Sequence, residues 1–143
     1  MIKSLRITSL LFATALLLAT SCNKYENGPG LSLRTKKARL ANTWELTESI
    51  DGNTDISEYT KGITLTIDKD GNFSFGGKTP QGAQAEGEGT WEFSSDKTTL
   101  ILTETGATIP DKWVITKLKN DELWLEKSQS SSTQASQKFI GLD

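Results

Sequence analysis

The feature that most constrains the fold is an alternation of apolar and polar residues that recurs along the last two thirds of the chain. Ile63, Leu65 and Ile67 give the clearest example, because threonines separate them and an aspartate follows. Successive side chains of a strand point to opposite faces, so a period of two predicts β-strands with one apolar face. The pair Asp70-Gly71 then supplies the residues of a tight turn, which predicts a hairpin.

Alternation and turn residues together predict about eight strands in sequential order. They are residues 43–50, 63–67, 73–75, 90–94, 98–103, 113–118, 123–127 and 138–142. Strands spaced about ten residues apart, with no helical stretch between them, favour an antiparallel meander that closes on itself. The sequence therefore predicts an all-β fold, an antiparallel up-and-down eight-stranded barrel, with a short helix before the first strand.

Two segments are predicted to interrupt the regular strands. Glycines between the third and fourth predicted strands indicate a flexible loop at the rim of the barrel and then a sharply bending strand. These are Gly76, Gly77, Gly82, Gly87 and Gly89. The serine- and glutamine-rich tract from Ser128 to Ser136 predicts a long mobile loop.

The start of the chain has the three parts of a secretory signal. Lys3 and Arg6 form a basic start, an apolar stretch runs from Ile7 to Ala19, and small residues lead to Cys22. The apolar stretch is shorter than the roughly 20 residues that a membrane-spanning helix needs. Residues 1–21 are therefore predicted to be a signal peptide that is removed.

Cys22 is the only cysteine of the chain and directly follows this signal. The segment Leu18-Ala19-Thr20-Ser21-Cys22 resembles the lipobox of bacterial lipoproteins, whose cysteine becomes the acylated first residue. The resemblance implies a lipoprotein that carries acyl chains such as palmitate on Cys22 and is held at a membrane by them. Ala19 and Ser21 also suit the ordinary signal peptidase, which would leave a secreted protein with a free N-terminal thiol.

The predicted location is the cell envelope, with the outer membrane favoured. Asn23-Lys24 places no acidic residue directly after Cys22, and in some Gram-negative species such a residue holds lipoproteins at the inner membrane. Residues 22–39 are predicted to form a tether and a short helix, and residues 40–143 the barrel domain.

The short helix is indicated by Leu33, Lys37 and Leu40, which lie at helical spacing. The basic side chains of this segment, including Arg34 and Arg39, are predicted to point away from the barrel. Two interpretations of these side chains remain open. They form a solvated helix face, or they contact anionic lipid headgroups near the anchor.

Charge and residue types exclude several classes of function. The chain has a formal charge of −2 and loses two basic residues with the signal, so the mature domain is mildly acidic and is not expected to bind nucleic acid. No histidine is present, and the single cysteine is assigned to the N-terminus, so no zinc site, internal disulfide or thiol nucleophile is predicted. Glu86, Glu88 and Glu92 share one strand face, which is predicted to be in solvent. We therefore predict no catalytic residue, metal or cofactor, and no enzyme.

Three short segments carry a family resemblance: Leu40 to Leu46, Gly71 to Phe73 and Gly89 to Phe93. They are similar to lipocalin-like domains that follow lipoprotein signals in Gram-negative bacteria, and the likeness extends over most of the mature chain. The resemblance implies an eight-stranded cup around a cavity that binds a small apolar molecule. In lipocalins proper an arginine of the last strand covers the first-strand tryptophan. Here no arginine follows Arg39, which leaves only Lys138, Lys127 or another lysine for that place.

The candidate ligand-binding side chains are large aromatic residues of the predicted strands. They are Trp44, Trp91, Trp113, Phe73 and Phe75. Each tryptophan has two open interpretations, core packing or contact with a ligand in the cavity. Trp124 lies on the opposite face from its two leucine neighbours, so either that strand is covered on both sides or Trp124 is exposed.

These observations predict a membrane-anchored, monomeric, non-catalytic protein that binds a small apolar or amphipathic molecule, or a glycan fragment, in its barrel. The alternative is a filled barrel that acts as a protein-interaction or inhibitor module. Its contact surface would be the loops around Asp51 to Tyr59 and Gly76 to Gly87. The two hypotheses differ in whether the barrel is hollow, since an eight-stranded barrel is just wide enough for either outcome.

Overall fold

The computed structural model describes residues 33–128 and 134–143. The predicted signal peptide, Cys22 and the tether up to residue 32 lie outside these ranges, as do residues 129–133 of the predicted loop from Ser128 to Ser136. Within the described ranges, no helix has the length and apolar character needed to cross a membrane.

The described chain is almost entirely β-structure, with two short helices. The helices are α1 (Lys36–Leu40) and α2 (Ser57–Thr60). The strands are β1 (Asn42–Asp51), β2 (Thr54–Asp55), β3 (Ile63–Ile67), β4 (Asn72–Lys78), β5 (Gln84–Phe93), β6 (Thr99–Glu104), β7 (Asp111–Leu118), β8 (Glu122–Lys127) and β9 (Ala135–Gly141). The helix predicted before the first strand is confirmed.

All neighbouring strands pair antiparallel and close into a ring. From β3 to β9 each strand pairs with the next, while β1 pairs with both β3 and β9. The two-residue β2 pairs only with the end of β1 and does not belong to the ring. The predicted up-and-down eight-stranded barrel is therefore confirmed, and closure leaves none of the eight strands with an unpaired long edge.

The ring closes along nearly the full length of β1. Trp44 lies opposite Gly141 and Asp51 opposite Ala135, with a bulge between Leu46 and Glu48. A bulge adds a residue to one strand and increases its local twist, which helps a strand to bend around a small barrel.

The barrel has two different ends. The closed end carries α1 and the turns β3–β4, β5–β6 and β7–β8, and the open end carries the connections β1–β3, β4–β5, β6–β7 and β8–β9. Fully buried side chains concentrate at the closed end and include Leu40, Trp44, Ile67, Leu118 and Leu123. The apolar core is therefore packed most tightly under α1.

Helix α1 is fastened to this core. Thr35 caps it, since its Oγ1 accepts a hydrogen bond from the Ala38 N–H at 3.1 Å. Leu40 is fully buried, and its carbonyl oxygen accepts a hydrogen bond from Trp44 Nε1 at 2.9 Å. The helix therefore lies against the first strand and covers the closed end.

The prediction that every basic side chain of this segment points away from the barrel is wrong. Arg39 is only 8% exposed, and its guanidinium donates to the Arg34 carbonyl at 2.7 Å. Lys37 Nζ lies 5.8 Å from the centre of the Trp91 ring. Leu33, predicted to share the buried helix face, is fully exposed and precedes the helix. The long stem of an arginine packs on apolar surface while its head finds a carbonyl, and sequence spacing does not show this.

The Asp70-Gly71 turn forms the predicted hairpin between β3 and β4. Asp68 Oδ1 accepts hydrogen bonds from the backbone N–H groups of Asp70 and Asn72, and Asp68 Oδ2 accepts one from the Asn72 side chain. These bonds, those from Asn72 foremost, favour the charged carboxylate and hold the pKa of Asp68 below its usual value. The Asp68 carbonyl accepts a hydrogen bond from Trp91 Nε1 at 2.9 Å, which ties the turn to the barrel wall.

The glycines predicted to form a rim loop and then a bending strand lie mostly inside strands, so the loop is shorter than predicted. Gly76 and Gly77 belong to β4, Gly87 and Gly89 to β5, and only Gly82 lies in the connection between them. Two packing demands explain this. The Phe75 ring occupies the space that a Gly87 side chain would need, and β5 approaches β6 too closely at Gly89 for a side chain.

Replacing Gly89 with alanine is expected to lower the free energy of unfolding by about 1–3 kcal/mol, because the new Cβ would overlap the Thr103 carbonyl oxygen. Gly76→Ala is the matched control in the neighbouring strand, since its nearest atom would be the Ala85 carbonyl oxygen at 3.8 Å. It should change stability by less than about 1 kcal/mol, in the stabilising direction. Urea unfolding of both variants measures the difference, and equal losses would contradict the close approach at Gly89.

Candidate functional site

The barrel contains a cavity of about 270 Å³ towards its open end. Nine apolar side chains line it: Leu46, Ile63, Leu65, Phe73, Phe75, Ala85, Leu102, Trp113 and Leu125. Four polar side chains complete the lining: Thr60, Glu104, Asp111 and Gln137. The barrel is thus filled at the closed end and hollow towards the open end.

Strand periodicity explains which residues reach the cavity. On β4 the inward positions are Phe73 and Phe75, and on β6 Leu102 and Glu104 follow each other at the same spacing. Each of these strands ends at the open end, so its later inward residue lies nearer the mouth. The cavity wall is therefore apolar deep inside the barrel and carries polar groups at the mouth.

The structure separates the five predicted site residues into two groups. Phe73, Phe75 and Trp113 line the cavity together. Trp44 and Trp91 do not, because both lie in the closed-end core, where they are 0% and 6% exposed. Their indole N–H groups donate hydrogen bonds to backbone carbonyls. Trp91 also packs edge-to-face on Phe93, with ring centres 5.3 Å apart. Of the two interpretations left open for the tryptophans, core packing fits these two.

Trp113 is covered by a lysine at the mouth. Lys127 lies opposite Trp113 in the β7–β8 pairing, and its Nζ is 4.6 Å from the centre of the indole ring. The same ammonium forms an ion pair with Asp111 Oδ1 at 2.5 Å. One charge of the mouth is thus compensated by its own neighbour, and the ion pair holds Lys127 over the ring.

Glu104 is the second carboxylate of the lining, and it is exposed at the end of β6. Within residues 33–128 and 134–143, no lysine or arginine lies at ion-pair distance from it. Gln137 of β9 supplies an uncharged polar group to the lining. The mouth thus offers one compensated and one uncompensated carboxylate.

Helix α2 forms part of the cavity wall at the open end. Asp55 Oδ1 accepts hydrogen bonds from the Ser57 N–H at 2.9 Å and the Ser57 hydroxyl at 2.6 Å, and these bonds hold the pKa of Asp55 below its usual value. Ser57 Oγ also accepts a hydrogen bond from the Ser49 N–H of β1 at 2.9 Å. These contacts fix the helix to the barrel, so Thr60 at its end faces the cavity.

Trp124 lies on the outer wall and is half-buried. Two ammonium groups cover it, Lys117 Nζ at 4.1 Å and Lys138 Nζ at 4.8 Å from the ring centre. Lys117 in turn pairs with Glu122 at 2.9 Å, and this contact, assisted by a nearby second lysine, holds the pKa of Glu122 below its usual value. Of the two alternatives for Trp124, the strand covered on both sides is the one observed.

Neither Lys138 nor Lys127 takes the place of the lipocalin arginine over Trp44. Those lysines lie over Trp124 and Trp113 instead. Trp44 is closed off from solvent by α1, whose last carbonyl it binds. A helix thus covers the first-strand tryptophan in this barrel.

Sequence reasoning missed most of the aliphatic and polar lining. Leu102 and Leu125 share the inward face of their strands with other apolar residues, so alternation alone marks them as inward-facing. The sequence pattern did not indicate that Glu104 and Asp111 line the cavity, because a carboxylate at a strand end is normally predicted to be solvent-exposed.

The titratable side chains of the cavity lining are two carboxylates, Glu104 and Asp111. As predicted, Glu86, Glu88 and Glu92 lie on the exposed outer face of β5. No group of three or more aspartate, glutamate, histidine or cysteine side chains is arranged to hold a metal ion anywhere in the described part of the chain. The lining supplies burial and a polar rim, which are the properties of a binding site.

Sequence comparison identifies the family of this barrel. A profile of the lipocalin-like domain matches residues 40–125, which is more than half of the chain. The chain belongs to the lipocalin-like domain family. No curated protein shows a significant sequence match to this lipocalin-like domain.

Several solved structures resemble this lipocalin-like domain, and two of them match over nearly all of their own length. The crystal structure of a lipocalin-like protein from Bacteroides uniformis matches 73% of this chain and 99% of its own, with 13% identity and a TM-score of 0.58. That of an uncharacterized protein from Bacteroides eggerthii matches 71% and 98%, with 11% identity and a TM-score of 0.54. At these identities the similarity concerns the fold alone.

Proposed function

We propose that this protein is a non-catalytic lipoprotein of the bacterial cell envelope that holds a small apolar or amphipathic molecule in its barrel. The observation that carries the proposal is the cavity itself, which nine apolar side chains line at the open end. Burying apolar ligand surface there is favourable by about 25 cal/mol per Å². The four polar groups of the lining orient a ligand head at the mouth.

The cavity volume limits the size of the ligand. Its volume of about 270 Å³ is less than twice that of the cavity of about 150 Å³ that accepts benzene in an engineered protein. It also lies just below the range of about 300–1,000 Å³ typical of drug-sized ligands. We therefore expect one or two small rings or a short alkyl chain, and no haem or complete sterol.

The composition of the lining favours an apolar or amphipathic ligand over a glycan fragment. A sugar carries a hydroxyl on most of its carbons, and each buried hydroxyl needs a hydrogen-bond partner to offset its desolvation. Only four polar side chains face the cavity, two of them carboxylates at the mouth. The interior thus provides few partners for hydroxyl groups.

The anchor belongs to the same proposal and is supported by the sequence, in which Cys22 follows a signal and a lipobox-like segment. The chain enters the domain through α1 at the closed end. The ten residues 23–32 span at most about 36 Å when fully extended. An anchor joined at that end leaves the mouth on the opposite side unobstructed.

The binding proposal is tested by filling the cavity. Ala85 is part of its lining, whereas Ala107 lies exposed in the β6–β7 connection. Ala85→Phe should weaken the binding of a short-chain alcohol or a one-ring compound at least about tenfold, because the new ring occupies ligand space. Ala107→Phe should leave affinity unchanged. Binding is followed by Trp113 fluorescence, with Trp113→Phe as the signal control and thermal unfolding as the folding control.

The panel of ligands should also include long fatty acids, sterols, haem and oligosaccharides. Response to the small apolar members alone agrees with the proposal. Absence of a response from every member contradicts it and favours the protein-interaction alternative, for which Tyr59 (62% exposed) and Ile109 (82% exposed) are the large hydrophobic residues exposed at the open end within the described ranges.

A further inference from the structure

The open end of the barrel carries an excess of negative charge. Its connections and their flanking strand ends are residues 51–62, 78–84, 104–111 and 127–135. They contain five carboxylates and three ammonium groups, and the undescribed residues 129–133 add no charge by sequence. The carboxylates are Asp51, Asp55, Glu58, Glu104 and Asp111, and the ammonium groups are Lys61, Lys78 and Lys127.

Only two of these carboxylates face the cavity, and they differ in their partners. Asp111 is compensated by Lys127 at 2.5 Å, and this engages the ammonium group that lies over the Trp113 ring. Glu104 lines the cavity with no ion pair from the described residues. The charge that a ligand head meets at the mouth is therefore the charge of Glu104.

We propose that the cavity selects small cationic amphiphiles, with the apolar body between Phe73, Phe75 and Trp113 and an ammonium head at the Glu104 carboxylate. This inference rests on the proposed function and specifies the class of its ligand. A charged head does not enter the apolar interior, because desolvating an unpaired ion costs far more than burying the chain gains. The head stays at the mouth, where Glu104 attracts a cation and repels an anion.

A ligand with an anionic head is disfavoured by the same contacts. On the Trp113 side of the mouth, a carboxylate ligand would meet Lys127, whose ammonium group already contacts the Asp111 carboxylate and the face of Trp113. It would also approach Glu104 and the net negative open end. Anionic amphiphiles of equal length should therefore bind more weakly than both neutral and cationic ones.

The test compares octylamine, octanol and octanoate at neutral pH and low salt, using calorimetry on the intact mature domain. The three share one chain and differ only in the head. Octylamine should bind about tenfold more tightly than octanoate, with octanol between them, and added salt should reduce this ratio. Glu104→Gln should reduce the ratio to about twofold, because it removes the charge and keeps the size of the side chain.

Glu88→Gln is the matched control, because Glu88 is an exposed carboxylate on the outer face of β5. It should keep the full preference for octylamine. Octanol binding without a preference for octylamine, a preference for octanoate, or a preference that survives Glu104→Gln would overturn this inference and leave the proposed function standing. No binding of any of the three, together with no response to the wider panel, would overturn both.

Discussion

Replacement of Cys22 by alanine is expected to release the mature protein from membranes completely. The wild-type chain is predicted to carry several acyl chains on this residue, and two or more chains hold a protein stably where one binds only marginally. Because Ala19 and Ser21 suit the ordinary signal peptidase, the variant should still be exported, cut at the same bond and recovered as a soluble protein. The loss of anchoring is therefore expected without a loss of export.

Two measurements check this result: metabolic labelling with a clickable fatty acid, and fractionation of membranes from soluble envelope contents. Ser21→Ala keeps a small residue before Cys22 and should retain both the label and the membrane fraction. A wild-type protein that never takes up the label, or a Cys22→Ala variant that stays with the membranes, contradicts the assignment of the anchor to this residue.

Trp44→Ala is expected to lower the free energy of unfolding by about 3–5 kcal/mol, the usual range for truncating a buried tryptophan. Trp44 is completely buried and joins β1 to α1 through the 2.9 Å hydrogen bond to the Leu40 carbonyl. Alanine leaves a cavity under the helix and a buried carbonyl without its donor, and both effects are destabilising. Denaturant unfolding followed by circular dichroism gives the difference directly.

Trp124→Ala is the matched control on the outer wall. It removes an indole of the same size that is half-buried and covered by the side chains of Lys117 and Lys138. We expect a loss of about 1–2 kcal/mol, because less apolar surface returns to water. If Trp44→Ala does not fold, Trp44→Phe should still fold with a loss of about 1–3 kcal/mol. Equal losses at Trp44 and Trp124 would contradict the assignment of the core to the closed end.

Local patterns predicted the barrel because the elements that build it are themselves local. The alternation around Leu65 and the turn at Asp70-Gly71 each fix a strand or a hairpin within a few residues. Sequential hairpins leave few other topologies. The position of the cavity along the barrel axis was harder to predict, because it depends on where each aromatic residue lies relative to the two ends.

That position follows once strand direction is combined with the alternation. Trp44 lies near the start of β1 at the closed end, and Trp91 lies near the finish of β5, which ends there too. Trp113 lies near the start of β7, at the open end. Three inward tryptophans of one barrel therefore have different roles, two in the core and one at the mouth.

Two features depended on distant contacts and were not predictable from the sequence. The glycines of β4 and β5 were predicted to form a rim loop and a bend in the next strand, yet Gly87 makes room for the ring of Phe75 and Gly89 for the backbone of β6. The sequence pattern predicted a solvent-exposed Arg39 side chain, yet this side chain is buried against the barrel. In both cases the deciding neighbour lies on another element.

The pairing of β1 with β9 brings both described ends of the chain to the same pole, where the Leu142 N–H donates to the Thr43 carbonyl at 2.9 Å. A fluorescent protein or epitope joined after Asp143 would therefore sit opposite the mouth. The β4–β5 and β6–β7 connections at the open end, by contrast, take no part in the pairing of β1 with β9, so they can be lengthened or randomised without disturbing it. The molecule thus has the layout of a display scaffold, constant at one pole and open to diversification at the other.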